Sequence, residues 1–373
     1  MDTAGGIPLD RYAEQLWLTL FAKAAEITLF DFAQLQRKIS PGDRAPWQGQ
    51  QSSFDFDKMM IPISQPDGTS IEPSTIARAA GVVFEDVDRF LGRLGNPIGL
   101  KSYKPYHSAG EDFLHTYLGM IGIPIDLMPV FPEEAQSVLL TECAAPDPAI
   151  VTKIERQLRA GKTVIITSGL LRALQGKGIK DIAEIGVTDR KIALKGFRGQ
   201  TPLPPDLHIM IPQVRYLTND AWERVSGMAQ NDLGYPLLLQ VDYAKGSLYV
   251  LAIPENFSDS YSFPAEVLNQ IRSILLQDLF VRIEGPGEVS LFVYDNGTFI
   301  VESFLLQSVD IRLSLDPKYS KIRDLVSGAE IGVSAQAGKL RSVFTGFGAR
   351  VLPRVVCPIQ LKPHSYRVFS AVP

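Results

Sequence analysis

The chain is poor in the residues that staple or metallate folds. It has two cysteines, Cys143 and Cys357, in 373 residues. Two distant thiols beside apolar runs give neither a disulfide framework nor zinc-ligand spacing, and they read as small buried hydrophobes. The four histidines, His107, His115, His208 and His364, are scattered, and none pairs at i, i+4 with a cysteine or a second histidine. No metal and no cofactor is expected on these grounds. An excess of positive charge is also missing: the net charge is −4 and the pI about 5.7, which argues against a nucleic-acid partner. Apolar runs such as Tyr249–Pro254 are strand-sized, well short of the roughly 20 residues of a membrane span. No basic segment followed by an apolar one opens the chain, so a cytoplasmic location is expected. There is no fixed-period repeat and no low-complexity tract.

What is present is ordinary for a globular chain: 45% hydrophobic and 21% charged residues, with a length that suggests two or three domains. Tyr12, Leu16, Leu20 and Ala24 fall on one face of a helix over Arg11–Ala24. An apolar strand is expected next, over Glu26–Phe32, buried on both faces as in a helix-covered parallel sheet. Residues 36–72 read as a long polar loop. A helix starts at Pro73-Ser74, with Val83, Val87, Phe90 and Leu94 inward, and stops at Gly95-Asn96-Pro97. From Ile98 onward, strands alternate with helices: Ile123–Met128, Ser137–Thr141, a helix opened by Asp147-Pro148 and closed by Gly161, then Thr163–Thr167. That alternation predicts right-handed βαβ crossovers and a parallel sheet. Paired β runs at Leu237–Val241 and Ser247–Ile253, then a helix over Phe263–Leu279, complete this unit. From Val281 short strands take over. Asp295-Asn296-Gly297 marks a tight hairpin between Val289–Tyr294 and Thr298–Phe304, and the end reads as a small antiparallel sandwich.

Leu16-Trp-Leu-Thr-Leu-Phe-Ala-Lys-Ala-Ala-Glu-Ile-Thr-Leu-Phe-Asp-Phe32 resembles the last helix and eighth strand of the barrel of glycoside hydrolase family 42 β-galactosidases. Ser137-Val-Leu-Leu-Thr-Glu142 and Leu158-Arg-Ala-Gly-Lys-Thr-Val-Ile-Ile-Thr-Ser-Gly169 are similar to that family's second domain, a flavodoxin- or glutamine-amidotransferase-like fold used in trimerisation. Ile322-Arg-Asp-Leu-Val-Ser-Gly328 and Leu361-Lys-Pro-His-Ser-Tyr-Arg-Val-Phe369 resemble its third, β domain. The resemblance implies an α/β plus β architecture in three parts: a (β/α) barrel end over 1–96, an amidotransferase-like parallel-sheet domain over 97–280 and an antiparallel β-sandwich over 281–373.

A retaining glycosidase needs two carboxyl groups about 5 Å apart. The resemblance puts them on barrel strands four and seven, and strand four has no counterpart here. Asp2 falls near the nucleophile position and is a weak catalytic candidate. Barrel sites lie at the C-terminal ends of strands, which makes Asp31, Phe32 and Gln34 candidate sugar contacts, with the loop Trp47–Phe56 as a cover. In the middle unit, Ser168 sits at a strand-to-helix turn, but Ile166-Thr-Ser-Gly-Leu170 lacks the G-x-S-x-G pattern. An amidotransferase needs Cys at that place with a later His–Glu pair, and neither is present. Glu142, Cys143 and Ser168 would share a crevice at the strand ends, where α/β sheets place ligands. Lys101-Ser-Tyr-Lys-Pro-Tyr-His107 is a basic and aromatic loop that would suit an anionic sugar or a partner carboxylate.

The expectation is therefore the C-terminal portion or a subunit of a β-galactosidase-like glycoside hydrolase, without a complete catalytic pair of its own. Its partners would be carbohydrate and either further copies of itself or a chain supplying the rest of the barrel. Two alternatives stand beside it: a non-catalytic oligomerisation or carbohydrate-binding module, and a hydrolase using the Ser168 or Cys143 crevice.

Overall fold

The computed structural model describes residues 8–29, 31–45, 52–71, 75–217, 219–335 and 353–373. Helix α1, Leu9–Phe21, buries Leu9, Ala13, Leu16, Trp17 and Phe21, a stripe at helical spacing. Among the described residues of the expected strand Glu26–Phe32, no strand forms. Residues 26–29 are irregular, and Phe32–Leu35 is a single helical turn that Asp31 caps through its carboxylate, which accepts the Ala33 and Gln34 N–H groups. A strand needs a neighbour to take up its backbone N–H and C=O groups, and no described strand runs beside this one. Helix α2, Ile76–Leu91, is capped by Thr75, whose hydroxyl accepts the Arg78 N–H, and packs on α1 through Ala79, Ala80, Val83, Val87 and Phe90. Among the described residues, the segment expected as a barrel end is two long helices joined by short helical turns and a two-residue antiparallel hairpin, Ile63–Ser64 with Ser70–Ile71.

The middle unit starts with β1, Leu100–Tyr103, then helix α3, Leu114–Met120, and strand β2, Ile125–Met128. Strand β3 is Ser137–Leu140, helix α4 Ile150–Arg159, strand β4 Thr163–Thr167 and helix α5 Ser168–Leu174. Five longer or paired strands follow: β5 Ile185–Phe197, β6 Ile209–Tyr216, β7 Ala221–Ala229, β8 Gly234–Tyr243 and β9 Gly246–Leu251, with helix α6 at Ala265–Leu275. All nine strands join one sheet in the order β2-β1-β3-β4-β9-β8-β7-β5-β6. The first five are mutually parallel and the remainder antiparallel. The sheet is therefore mixed, where the sequence reading expects a parallel one. The extension comes from hairpins: the β7–β8 turn holds Asp232 at φ 63° and the β8–β9 turn Ala244 at φ 53°, and a tight turn can only join antiparallel neighbours.

The end is two antiparallel sheets. Strands β10 Val281–Glu284, β11 Val289–Tyr294, β12 Thr298–Ser303, β13 Val309–Leu315, β14 Lys321–Asp324 and β15 Glu330–Gly332 are followed by the short Ser334–Ala335, then β16 Val355–Leu361 and β17 Ser365–Val372. One sheet runs β10-β13-β16 to Ser334–Ala335. The other runs β15-β14-β17-β12-β11 to Pro97–Ile98. Along β12, Phe299 and Val301 turn into the sandwich while Ile300 and Glu302 turn outward onto the helices, the two-residue alternation of a strand covered on both faces. Ile300, Val368 and Tyr294 share a core with α1 and α2, and the Tyr294 hydroxyl donates to the Phe21 carbonyl at 2.7 Å. The helical pair is thereby a third layer on the sandwich. No helix among the described residues is long and apolar enough to cross a membrane.

Candidate functional site

Asp31, Phe32 and Gln34 lie together on the one-turn helix at the surface. Phe32 is 72% exposed, and Asp31 is committed to capping. No described strand ends behind them. Asp2 and residues 47–51 of the expected cover lie outside the described residues.

The other expected cluster is brought together. The strand order reverses between β1 and β3, the switch point at which a doubly wound sheet opens a crevice beyond its carboxyl ends. Glu142 and Cys143 follow β3, and Ser168 follows β4. Their side chains are not presented as a catalytic set. Cys143 is fully buried and its thiol donates to the Gly110 carbonyl at 2.8 Å. Ser168 is 3% exposed, and its hydroxyl accepts the Ile253 N–H at 3.0 Å, so it points into the protein rather than out of an elbow.

The centre of the crevice is a residue that nothing in the sequence singles out, Glu111. Its carboxylate accepts the Glu142 N–H at 2.9 Å, the Gly169 N–H at 3.2 Å and the Thr167 hydroxyl. Burial pushes its pKa up against those bonds, helped by the charge of Glu142. The seat is tight: a Cβ on Gly169 would lie 2.4 Å from Glu111 Oε1, and one on Gly110 would lie 2.7 Å from Glu142 Cγ. The loop pays for this geometry in backbone strain, with His107 at φ 60°, Glu111 at 48° and Phe113 at 68°. A protein carboxylate thus occupies the crevice at the ends of β3 and β4. Glu111→Gln is expected to place an N–H against a donor and weaken the crevice by about 1–3 kcal/mol. Hydrogen exchange at the Glu142 and Gly169 amides should then accelerate; unchanged protection at both would refute this role.

The basic loop after β1 is dispersed. Lys101 pairs with Asp126. The Tyr103 hydroxyl donates to Asp147 at 3.0 Å beneath the Lys153 ammonium, whereas Tyr106 and His107 face solvent.

The densest group of buried charge lies elsewhere, between α1 and the sandwich. Arg11 meets Glu14 at 2.6 Å, Glu14 meets His364 Nδ1 at 2.9 Å, and the Trp17 indole N–H donates to Glu302 at 2.7 Å. Glu302 is 0% exposed, and its second oxygen has no hydrogen-bond partner. Burial first, then the charge of Glu14, holds the Glu302 pKa well above the usual carboxylate range. Beside them, burial also raises the pKa of Asp10, although its carboxylate accepts the Ala45 N–H.

Three family models match the sequence: "Probable glycosyl hydrolase, catalytic domain" over residues 1–93, "Uncharacterized protein SSO3021, second domain" over 95–198, and "Probable glycosyl hydrolase, C-terminal domain" over 280–371. The chain is glycosyl-hydrolase-like at both ends. Residues 199–279, which hold β6 to β9 and α6, fall outside all three matches. Among solved structures, the glycosyl-hydrolase-like chain is similar to Gan42B, a GH42 β-galactosidase from G. stearothermophilus, with 12% identity, 80% of this chain and 44% of that one covered and a TM-score of 0.46. The β-galactosidase from Bacillus circulans sp. alkalophilus matches at 12% identity, 83% and 46% coverage and a TM-score of 0.42. The α-L-fucosidase isoenzyme 2 from Paenibacillus thiaminolyticus matches at 13% identity, 80% and 52% coverage and a TM-score of 0.44. The chain spans about half the length of these proteins. No curated protein matches it.

Proposed function

We propose that these residues form the C-terminal portion or a subunit of a glycoside-hydrolase-like protein, acting on carbohydrate only with further structure and carrying no complete catalytic pair of their own. The observation that supports this is where the buried carboxyl groups point. Glu14 and Glu302, the pair on the segment matched to a catalytic domain and on the sandwich beneath it, are turned inward onto His364, Arg11 and Trp17. A hydrolytic pair must instead flank a cleft open to sugar and water. In this reading α1 and α2 are a foundation clamped to the sandwich, and the crevice of Glu142, Cys143 and Ser168 is structural, filled by Glu111. Incubating the purified chain with aryl β-glycosides of several sugars should give no turnover above buffer. Robust turnover that survives Asp2→Asn would sink the proposal.

A second reading, self-association through the α/β unit, is favoured by one observation. Tyr106, Phe113, Leu127 and Val130, on β2 and the loops following β1 and β2, are exposed large apolar residues beside an edge strand. Isolated exposed hydrophobics are common, but a grouping at a sheet edge marks contact surfaces. Light scattering should show an oligomer that Phe113→Ser combined with Val130→Ser shifts toward monomer; a monomer at all concentrations would remove this reading.

A further inference from the structure

Glu302 sits where β12 meets α1, and the bases around it are spent on a neighbour. Arg11 lies 2.6 Å from one oxygen of Glu14, and His364 Nδ1 lies 2.9 Å from the other. Glu302 Oε1 accepts the Trp17 indole N–H, while its buried Oε2 has no partner among the described residues. The other elements packed against it bring no base to it. On β11, Ser290 stands opposite Glu302, and its hydroxyl donates to the Gly119 carbonyl. On β17, Tyr366 stands opposite, in the field of Asp86 and Arg89 from α2. Asp10, one turn before Glu14 on α1, is a further buried carboxyl; it accepts the Ala45 N–H and feels Arg44 and His364. The joint thus has cations placed for one ionised carboxyl, Glu14. A charge on Glu302 would enter the same dry volume as a like charge, and burial and Glu14 both favour its neutral form.

The helical layer is built to part from the sandwich on its own. Its apolar core, with Trp17, Phe21, Val87 and Phe90 against Ile300 and Val368, is separate from the core that runs through the mixed sheet and the sandwich interior. Among the described residues, no strand before Pro97 pairs with the sandwich, so no backbone ladder crosses the joint. Polar ties from α1 to the sandwich run through Glu302, His364 and the Tyr294 hydroxyl. A unit with its own core and few ties is the kind that opens without global unfolding.

We propose that Glu302 makes this joint a pH-sensitive clamp: α1 and α2 open from the sandwich as one unit when Glu302 ionises, with sheet and sandwich still folded. In the closed joint Glu302 holds a proton that it releases to water in the open one. The clamp is therefore complete below the exposed-carboxyl pKa of about 4.3 and loosens as pH rises from there through the closed-state value. Opening bares Ile300 and Val368 on the outward face of β12 and β17. This device is independent of any activity toward carbohydrate.

Hydrogen exchange of the full chain, followed by peptide mass spectrometry from about pH 5 to about pH 8 and corrected for intrinsic rates, tests the clamp. Protection of α1 and α2 should fall by up to about tenfold per pH unit and then level off, while β4 and β9 keep theirs. Glu302→Gln should remove most of that slope and Asp10→Asn the lesser part. Glu14→Gln, which frees Arg11 for Glu302, should make protection level off at a lower pH. A flat parent, a slope shared by β4 and β9, or a slope that Glu302→Gln leaves undiminished would each overturn the clamp. The contrast between the helical layer and the sheet is read in the parent alone, so it decides the matter even where a variant fails to fold.

Discussion

Arg272→Met is expected to cost the fold roughly 3–5 kcal/mol, the usual penalty for removing one side of a buried charged hydrogen-bond set. Arg272 is 1% exposed. Its Nε donates to the Ile121 carbonyl at 2.7 Å, and its terminal nitrogens donate to the Gly285 and Pro286 carbonyls at 2.7 and 2.8 Å and to Asn269 at 3.0 Å. One guanidinium from α6 thus gathers the turn after α3 and the turn after β10, tying the mixed sheet to the sandwich. Burial pulls its pKa down to about 9, still cationic at neutral pH. Methionine fills much of the volume but leaves three buried carbonyls without donors. The first thermal transition should fall by on the order of 5–10 °C. Arg272→Lys should recover only part of the loss, because an ammonium lacks the planar fork that reaches several carbonyls at once. A melt within about 1 °C of the parent, inside the ordinary scatter of surface substitutions, would show that the joint is held by apolar packing instead.

The second large effect concerns Glu302 and has the opposite sign. Burial holds its folded-state pKa above the unfolded value, so the folded protein keeps a proton that the unfolded chain releases. Its contribution to stability is complete below the unfolded pKa of about 4.3 and is lost as pH rises from there through the folded pKa. Asp10 and Glu111, also raised by burial, contribute in the same sense. Near neutral pH the chain therefore carries a buried carboxyl whose ionisation opposes folding. Glu302→Gln keeps an oxygen for the Trp17 N–H and has nothing to ionise. It should raise stability at pH 8 and flatten the fall expected for the parent as pH rises from about 4 to about 8. Glu302→Leu should destabilise at every pH by about 1–3 kcal/mol, since the indole N–H is then buried without an acceptor. Urea midpoints measured across that pH range decide the matter: if Glu302→Gln tracks the parent curve, the group does not titrate in the fold.

These two residues show where sequence reading stops. Helices α1 and α2 are legible because their apolar positions repeat at helical spacing within one short segment. The β11–β12 hairpin is legible because Asn296-Gly297 permits the turn, with Gly297 at φ 82°. Glu302 and Trp17 are 285 residues apart, and no local pattern says that a strand glutamate turns outward onto a distant helix. The expected eighth strand fails for a related reason. Ile27 and Leu29 have the right composition, but strand formation depends on a neighbour to bond with, which is a property of the whole chain and not of the segment. Likewise Glu142, Cys143 and Ser168 were placed near one another by strand order alone, while the filling of their crevice by Glu111 depends on left-handed backbone at Glu111 and Phe113 that those residue types do not announce.

By itself the sequence determined the kind of units in this protein and their order: helices, then an α/β sheet, then antiparallel strands, because period, turn chemistry and composition act over a few residues. The tertiary structure alone decided that the leading helices are a layer on the sandwich, that hairpins extend the parallel sheet, and which carboxyl groups lose their water. Those outcomes depend on desolvation and on contacts between segments hundreds of residues apart, and neither is written in any one of them.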